Sequence, residues 1–333
     1  MKNLQINSKF IPLLITIALF VVLFAAGSVS YRGFFSMQVV LNLLVDNSFL
    51  IIVALSQAMI IILGGIDLSC GALIALSSMV AAYSMSHLNL PPALAILAVL
   101  IVCSLFGFVQ GWLITYRKFQ PFIATLCGMF IARGLCFMIN QDTVPITDPF
   151  FVSMATMRIK LMPGATISSS VIIALVMLAL YIYIAHYTKF GRAIYAVGGN
   201  EQSARLMGLP VDRTKVLAYT LSGFTSGIAG IVFCFYMLSA YGLNAMALEM
   251  DAIAAAVIGG TLMTGGVGFV IGSVFGVMIE GIMQTLITFQ GDLNSWWTRI
   301  AVAFLLCVFI VVQRVLVLRR EAKKRIRPVE FIE

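Results

Sequence analysis

The chain has 333 residues, of which 61% are hydrophobic and only 10% are charged, and its formal net charge is +8 at neutral pH. Soluble domains carry about 25% charged residues, so this composition excludes a water-soluble globular protein and predicts an integral membrane protein. The basic residues fall between apolar segments and near the C-terminus, which is typical of membrane-topology signals and argues against a nucleic-acid partner.

Apolar segments follow one another along the whole chain, most of them near the length of about 20 residues that crosses a bilayer. Flanking basic residues concentrate on one side if the N-terminus is cytoplasmic, and an even number of crossings returns the C-terminus to that side. We therefore predict an all-α, polytopic membrane helix bundle of about ten transmembrane helices, with both termini cytoplasmic and a single transmembrane domain over 1–333. The predicted spans are roughly 10–30, 42–64, 68–86, 92–116, 121–141, 167–187, 215–240, 251–264, 266–289 and 296–318.

Polar side chains interrupt the second predicted span, where they can face a solute path. They are Asp46, Asn47 and Gln57. The segment 64–69 (GGIDLS) then joins the second span to the third at the inner side. Asp67 and Ser69 are predicted to cap the third helix, because short polar side chains accept hydrogen bonds from free N–H groups at a helix start. The placement of Asp67 at a cytoplasmic mouth also suits a gate.

Two ionisable residues lie deep inside predicted spans, Arg133 in the fifth and Glu280 in the ninth. Their depths from the inner ends are about 18 and 21 Å at 1.5 Å per residue. Ionisable groups in the membrane usually face a partner or a wet cavity. Equal depth and opposite charge predict an intramembrane ion pair between Arg133 and Glu280 that fixes the bundle geometry.

The inner loop 188–214 contains a sequence pattern that predicts a short helix. Asn200 precedes Glu201 and Ser203 in a pattern typical of a capped helix start, and Gly208 with Pro210 would end that helix. The segment has no apolar run long enough to cross a bilayer. It therefore looks like a docking element on the cytoplasmic side.

The eighth predicted span is short for a crossing and suits a half-helix or a re-entrant segment. Glu249 and Asp251 lie at its start, where they are further candidates for a solute path or gate. Small residues at four-residue spacing let helices approach closely in lipid, and Gly268, Gly272 and Gly276 form such a ridge on the ninth span. Trp296 opens the tenth span, where an interfacial belt position is favoured over a sugar-stacking platform.

Several kinds of chemistry are missing from the sequence. The six cysteines lie in apolar stretches without a CxxC pair or a neighbouring histidine cluster, so neither a metal site nor a disulfide framework is predicted. A G-x-x-x-x-G-K-[ST] phosphate loop is absent as well, so the chain does not bind ATP in that manner. Both histidines, His87 and His186, lie at span ends, which counts against a membrane-embedded enzyme.

Four segments carry a resemblance to a known family. They are GGIDLS at 64–69 followed by Gly71, PFIATLCGMFIARG at 121–134, AVGGNEQSARLMGL at 196–209 and DAIAAAVIGGTLMTGGVG at 251–268. In this order they resemble the permease subunits of bacterial ABC importers for monosaccharides of the ribose, arabinose and galactose type. With SWWT at 295–298, the chain is most similar to the permeases of galactofuranose importers. The resemblance covers essentially the whole chain.

The resemblance implies a bacterial inner-membrane subunit that works with several partners. A second permease subunit, identical or paralogous, would complete the pathway, and a periplasmic sugar-binding protein would deliver the solute. No cofactor is expected in this chain, since a separate cytoplasmic ATP-binding subunit would hold Mg-ATP. That subunit would dock on a segment whose coupling residues are Gly199, Asn200, Glu201, Ser203, Ala204 and Gly208.

Two other readings stay open on the sequence. A related ABC permease for another small solute, such as a branched-chain amino acid, would share the same architecture. A secondary transporter would be expected to couple through intramembrane acids or unwound helices. The sequence does not name the sugar.

Overall fold

A computed structural model describes residues 11–31, 34–162, 165–290 and 296–326. This part of the chain is mainly helical. Its helices are α1 (Ile11–Ser30), α2 (Met37–Asp46), α3 (Ser48–Ile62), α4 (Cys70–Ser86), α5 (Pro92–Tyr116), α6 (Pro121–Ile139), α7 (Pro149–Thr156), α8 (Ser169–Tyr187), α9 (Lys189–Gly199), α10 (Glu201–Leu206), α11 (Val211–Met237), α12 (Leu248–Ile258), α13 (Val270–Gln290) and α14 (Trp296–Ile326).

Within the described ranges, six helices are long and apolar enough to cross a membrane, namely α1, α5, α6, α8, α11 and α13. The bent pair α2 and α3 adds a seventh if it is counted as one span. This confirms a polytopic helix bundle, whereas ten crossings with cytoplasmic termini remain a prediction. The terminal stretches 1–10 and 327–333, with Lys2 and Lys9 among the basic topology signals, lie outside the described residues.

The predicted second span is two helices rather than one. The axes of α2 and α3 differ by 64°, and the break falls at Asn47. Its side-chain Nδ2 donates to the carbonyl of Leu43 at 2.9 Å, and Ser48 Oγ donates to the carbonyl of Val45 at 3.0 Å. Side-chain bonds of this kind compete with the helical ladder and bend helices. The bend needs neither proline nor glycine, so the apolar pattern alone did not reveal it.

The centre of the bundle is built from α3 and α11. Every residue of α3 except Phe49 is buried, as expected for a helix that is apolar on all faces. The long helix α11 packs against α3, α4 and α5. Gly107 on α5 faces Gly223 on α11 so closely that an added Cβ on either would overlap a backbone carbonyl of the other helix. Small residues therefore bring these two backbones into contact.

Helices α12 and α13 pack through glycines, in part as predicted. An added Cβ at Gly272 would overlap the carbonyl oxygen of Gly259, and one at Gly276 would overlap that of Ala255. Gly268 precedes α13, which begins at Val270, so its assignment to the helical ridge was wrong. An added Cβ there would instead meet the side chains of Ile62 and Thr261 at 2.9 Å.

Two small antiparallel sheets depart from the all-α prediction. Strand β1 (Val144–Pro145) pairs with β4 (Ser239–Ala240), and β2 (Arg158–Met162) pairs with β3 (Ala165–Ser168). Each is only a few residues long. The first ties the segment after α6 to the segment after α11, and the second is a hairpin between α7 and α8. The fold remains a helical bundle.

Candidate functional site

Helix α10 forms where the sequence predicted a docking helix. Asn200 has an extended backbone, and its Oδ1 accepts a hydrogen bond from the N–H of Ser203 at 2.8 Å, which caps the helix start. Helix α10 ends at Leu206, and Gly208 follows in the left-handed conformation with φ of 77°, which glycine adopts without strain. Ala204 is fully buried and anchors the helix on the bundle.

Four charged residues join α10 to the start of α11. Glu201 accepts from Arg205 at 3.3 Å and from Lys215 at 2.6 Å, and Arg205 also pairs with Asp212 at 2.8 Å. The hydrogen bond from Lys215 is the main reason why the pKa of Glu201 lies below its usual range. The hydrogen bond to Asp212 is the main reason why the pKa of Arg205 is raised. These ion pairs hold α10 against the start of α11.

Two apolar side chains are exposed at the C-terminal end of α10. Leu206 is 83% exposed and Met207 is 68% exposed, directly beside the charged network. Exposed apolar side chains rimmed by charged groups mark protein contact sites. Gly199, at the turn between α9 and α10, is exposed too, and an added Cβ there would meet nothing within 4 Å.

The turn between α9 and α10 contacts two loops of the bundle. The N–H of Gly266 donates to the carbonyl of Ile62 at 2.8 Å, so the α12–α13 loop is bonded to the end of α3. Gly198 lies against both, since an added Cβ would overlap the Ile62 carbonyl and come within 2.8 Å of the nitrogen of Gly266. A displacement of α9 and α10 would therefore reach these two loops directly.

Asp67 is the centre of a buried polar cluster. Its Oδ1 accepts from the N–H of Ser69 at 2.9 Å and from the Ser69 hydroxyl at 2.6 Å, while its Oδ2 accepts from Ser222 Oγ on α11 at 2.7 Å. Gln57 Nε2 donates to the backbone carbonyl of Asp67 and to Cys70 Sγ. Capping was therefore the wrong role for Ser69, which makes no side-chain cap on α4. The cluster instead ties the α3–α4 loop to α11.

The predicted ion pair between Arg133 and Glu280 is absent from the part of the chain that the structure describes. Arg133 donates to three backbone carbonyls, those of Gly242 at 2.8 Å, Asn244 at 2.5 Å and Ala245 at 3.1 Å. Glu280 is 6% exposed, and its Oε1 has no hydrogen-bond partner. The two side chains therefore contact different parts of the bundle, and the prediction of an Arg133–Glu280 pair was wrong.

The other candidates for a solute path divide into two groups. One cavity is lined by Asp46, Asn47 and Asp251. Gln284 lines the same cavity, although it was not among the residues predicted from the sequence. Gln284 lies one helical turn beyond Glu280, so four-residue spacing is the signal that would have found it.

Two candidates lie apart from that cavity. Glu249 is buried against Gly71 on α4, where an added Cβ would overlap its carboxylate. Trp296 is exposed, and the guanidinium of Arg299 lies 5.4 Å from the centre of its ring. Within the described ranges, no three histidine, cysteine or acidic residues are grouped so that they would hold a metal ion.

Comparison with known proteins places the chain among permeases. Residues 39–312 match the family described as branched-chain amino acid transport system / permease component. The chain is 41% identical over 304 residues to the inner membrane ABC transporter permease protein YjfF of Escherichia coli (strain K12), covering 91% of this chain and 92% of that protein.

Two further relatives have sugars in their names. The fructose import permease protein FruG of Bifidobacterium longum (strain NCC 2705) is 35% identical over 319 residues, or 94% of this chain and 93% of that protein. The ribose import permease protein RbsC of Haemophilus influenzae is 35% identical over 316 residues, or 93% and 95%. No solved structure matches the chain. Since the family match and the relatives span most of its length, the chain belongs to the branched-chain amino acid transport system / permease component family and is a permease embedded in the membrane.

Proposed function

We propose that the chain is the transmembrane subunit of an ABC importer that carries a monosaccharide across the bacterial inner membrane. A separate cytoplasmic ATP-binding subunit would bind Mg-ATP and dock on α10. A second permease subunit would complete the pathway, and a periplasmic binding protein would deliver the sugar. The relatives named for fructose and ribose import support a sugar over a branched-chain amino acid.

The observation that carries this proposal is the construction of α10. A six-residue helix cannot be stable by itself in water, yet this one is capped by Asn200 and fixed to α11 by ion pairs of Glu201 and Arg205. It presents Leu206 and Met207 away from the bundle. A rigid helix with apolar side chains pointing outwards is suited to receive force from a partner protein.

The contacts inside the bundle offer a route for that force. The ion pair of Glu201 with Lys215 links α10 to α11, and Ser222 on α11 donates to Asp67 in the α3–α4 loop. Motion of α10 would shift α11 and this loop together, and would reopen the path on one side while closing it on the other. No covalent change in the sugar is needed.

Which monosaccharide is carried is the finer part of the proposal. The four sequence segments and SWWT at 295–298 favour galactofuranose, and the relatives' names favour ribose or fructose. Specificity in such an assembly is shared with the binding protein. A labelled-sugar uptake panel across all three sugars would identify the solute.

The docking proposal is tested by co-purification of the ATP-binding subunit of the same importer. The double variant Leu206→Ser with Met207→Ser should retain less than about a tenth of the bound subunit, the loss expected from about 1.4 kcal/mol of contact energy. The matched control is Leu243→Ser with Met246→Ser, an exposed Leu and Met pair between α11 and α12. Normal co-purification and uptake by the first variant would contradict docking on α10.

A further inference from the structure

Two adjoining cavities open at the bend between α2 and α3. The larger has a volume of about 470 Å³, and the smaller about 210 Å³. Small-molecule sites typically measure about 300–1,000 Å³, so the larger cavity alone has room for a monosaccharide-sized solute. The two cavities share the lining residues Asn47, Leu50, Asp251 and Gln284.

One face of α13 supplies a polar ladder to these cavities. Glu280, Gln284 and Thr288 are spaced four residues apart and therefore lie above one another, over about 12 Å at 1.5 Å per residue. Glu280 and Gln284 line the smaller cavity, and Gln284 and Thr288 line the larger one. Carboxylate, amide and hydroxyl groups in a row can each exchange a hydrogen bond with a solute hydroxyl.

The bend between α2 and α3 and the start of α12 add further polar groups to the cavities. Asp46 and Asn47 come from the bend and Asp251 from the first turn of α12. Gly281 leaves the space that the Asn47 amide occupies, because an added Cβ would lie 2.7 Å from Asn47 Nδ2. Phe49 and Tyr236 provide aromatic surface on the same cavity. Small-molecule sites are usually lined by apolar and aromatic side chains, with a small number of polar groups that orient the ligand.

Glu280 is the observation that points to a ligand. Its side chain is more than nine-tenths buried, lines the smaller cavity and has one carboxylate oxygen without a hydrogen-bond partner. A buried acceptor without a hydrogen bond is destabilising, and more so when it is charged. Ionisable residues inside a membrane bundle mark solute paths. A hydroxyl donor from a solute would supply the missing hydrogen bond.

The charge of the described lining disfavours an anionic solute. Among these residues, Asp46, Asp251 and Glu280 accompany one cation, Arg299, so a solute of net negative charge would meet more acids than bases. In the described part of the chain these acids do not converge on a point where a metal ion would bind. An uncharged solute rich in hydroxyl groups fits both facts.

We infer that these cavities are the binding site for an uncharged polyhydroxylated solute of monosaccharide size, with Glu280, Gln284 and Asp251 as its hydrogen-bonding residues. The inference rests on the proposed function and deepens it, since it assigns side chains to the solute path. Glu280 and Asp251 accept from solute hydroxyls, and the Gln284 amide both donates and accepts. The aromatic wall of Phe49 and Tyr236 covers an apolar face of the sugar.

The test measures uptake of labelled D-ribose, D-fructose and D-galactose, part of which is galactofuranose in solution, by cells that express the complete importer. Variants are Glu280→Gln, Gln284→Ala and Asp251→Asn, and the matched control is Gln290→Ala at the end of α13, outside both cavities. For the transported sugar, Gln284→Ala and Asp251→Asn should raise KM about tenfold, the effect of about 1.4 kcal/mol. Glu280→Gln should raise it also, while Gln290→Ala leaves it unchanged. Co-purification of the ATP-binding subunit should stay normal in all four.

The outcomes separate the site from the function. Uptake by the wild type with a KM that all three lining variants leave unchanged would overturn the site and leave the proposed function standing. Uptake of none of the three sugars by the wild type would overturn the monosaccharide function and this site together. A third outcome would assign the site to a cation. In that outcome the purified wild-type permease binds ²²Na⁺, the lining variants do not bind it, and the KM for sugar is unchanged in all of them.

Discussion

Lys215 Nζ lies 2.6 Å from Glu201 Oε2, so this ion pair, together with that of Arg205 and Asp212, connects the short helix α10 to the start of α11. Seven residues further along α11, about 10 Å at 1.5 Å per residue, Ser222 donates to the buried carboxylate of Asp67. A continuous set of contacts therefore runs from the exposed side chains of α10 to the α3–α4 loop.

Breaking the ion pair of Glu201 with Lys215 should weaken the link between α10 and α11 without unfolding the protein, because the pair of Arg205 with Asp212 remains. Exposed pairs contribute about 0–1 kcal/mol to stability, so Glu201→Gln should leave Tm nearly unchanged while lowering ATP-driven uptake several-fold. Arg213→Gln, an exposed neighbour on α11, is the control. The charge exchange Glu201→Lys with Lys215→Glu should recover part of the uptake. Full uptake by Glu201→Gln would show that the pair is not used.

The hydrogen bond from Ser222 to Asp67 should contribute more to stability and uptake than the hydrogen bond of Ser226 on the same helix. Ser222→Ala removes a donor from a buried carboxylate, at a cost of about 1–3 kcal/mol, and should lower both Tm and uptake. Ser226 lies one turn further on, and its hydroxyl bonds only to the carbonyl of Ser222 within α11. Ser226→Ala is therefore expected to behave as the wild type. Equal effects of the two substitutions on uptake would remove Asp67 from the coupling route.

The sequence anticipated features that depend on local rules. The cap at Asn200, the end of α10 near Gly208 and the close packing of Gly272 follow from preferences that act within a few residues. Helix α12, with 11 residues, also fits the short segment predicted at 251–264.

Features that depend on direction in space were not anticipated. Similar depth along two helices suggested a pair of Arg133 with Glu280. The sequence pattern does not specify how each helix is rotated about its axis, and in the structure Arg133 contacts the loop 242–245. The bend at Asn47 accompanies side-chain bonds of Asn47 and Ser48 to backbone carbonyls inside an apolar run. Four-residue spacing places Gln284 on the same helix face as Glu280, but the cavity that it lines is formed with residues of other helices, which the sequence does not bring together.

Arg133 should act as a clamp on the loop before α12. Two residues of that region, Ala245 and Ala247, have positive φ of 53° and 65°, a conformation that costs a residue with a Cβ about 1–3 kcal/mol. Arg133→Met removes all three bonds to the loop carbonyls and should destabilise the protein by at least about 1.5 kcal/mol, read as a lower Tm. Arg133→Lys should lose less, since one ammonium can still donate.

The same site gives a direct test of the ion pair. The charge exchange Arg133→Glu with Glu280→Arg should be at least as unstable as Arg133→Glu alone, because the two side chains do not meet. Glu280→Gln should keep a Tm close to that of the wild type, since it removes an unpaired charge from the interior. Rescue of stability by the exchange would restore the pair.

Close packing of α12 on α13 should make Gly272 intolerant of a methyl group. Gly272→Ala places a Cβ on the carbonyl of Gly259, and overpacking of this kind costs about 1–3 kcal/mol. Gly134 on α6 is the control, because an added Cβ there meets nothing within 4 Å. Gly134→Ala should be neutral or more stable by up to about 1 kcal/mol, since alanine favours a helix. Thermal unfolding of both variants in the same lipid discs measures the difference.

The most direct measurement is uphill sugar accumulation in proteoliposomes that contain the permease with its binding protein. With the ATP-binding subunit and Mg-ATP present, we expect labelled sugar to accumulate inside the vesicles against its gradient. Without that subunit, the sugar should only equilibrate or fail to enter. Accumulation against a gradient by the permease in the absence of any ATP-hydrolysing subunit would contradict the account.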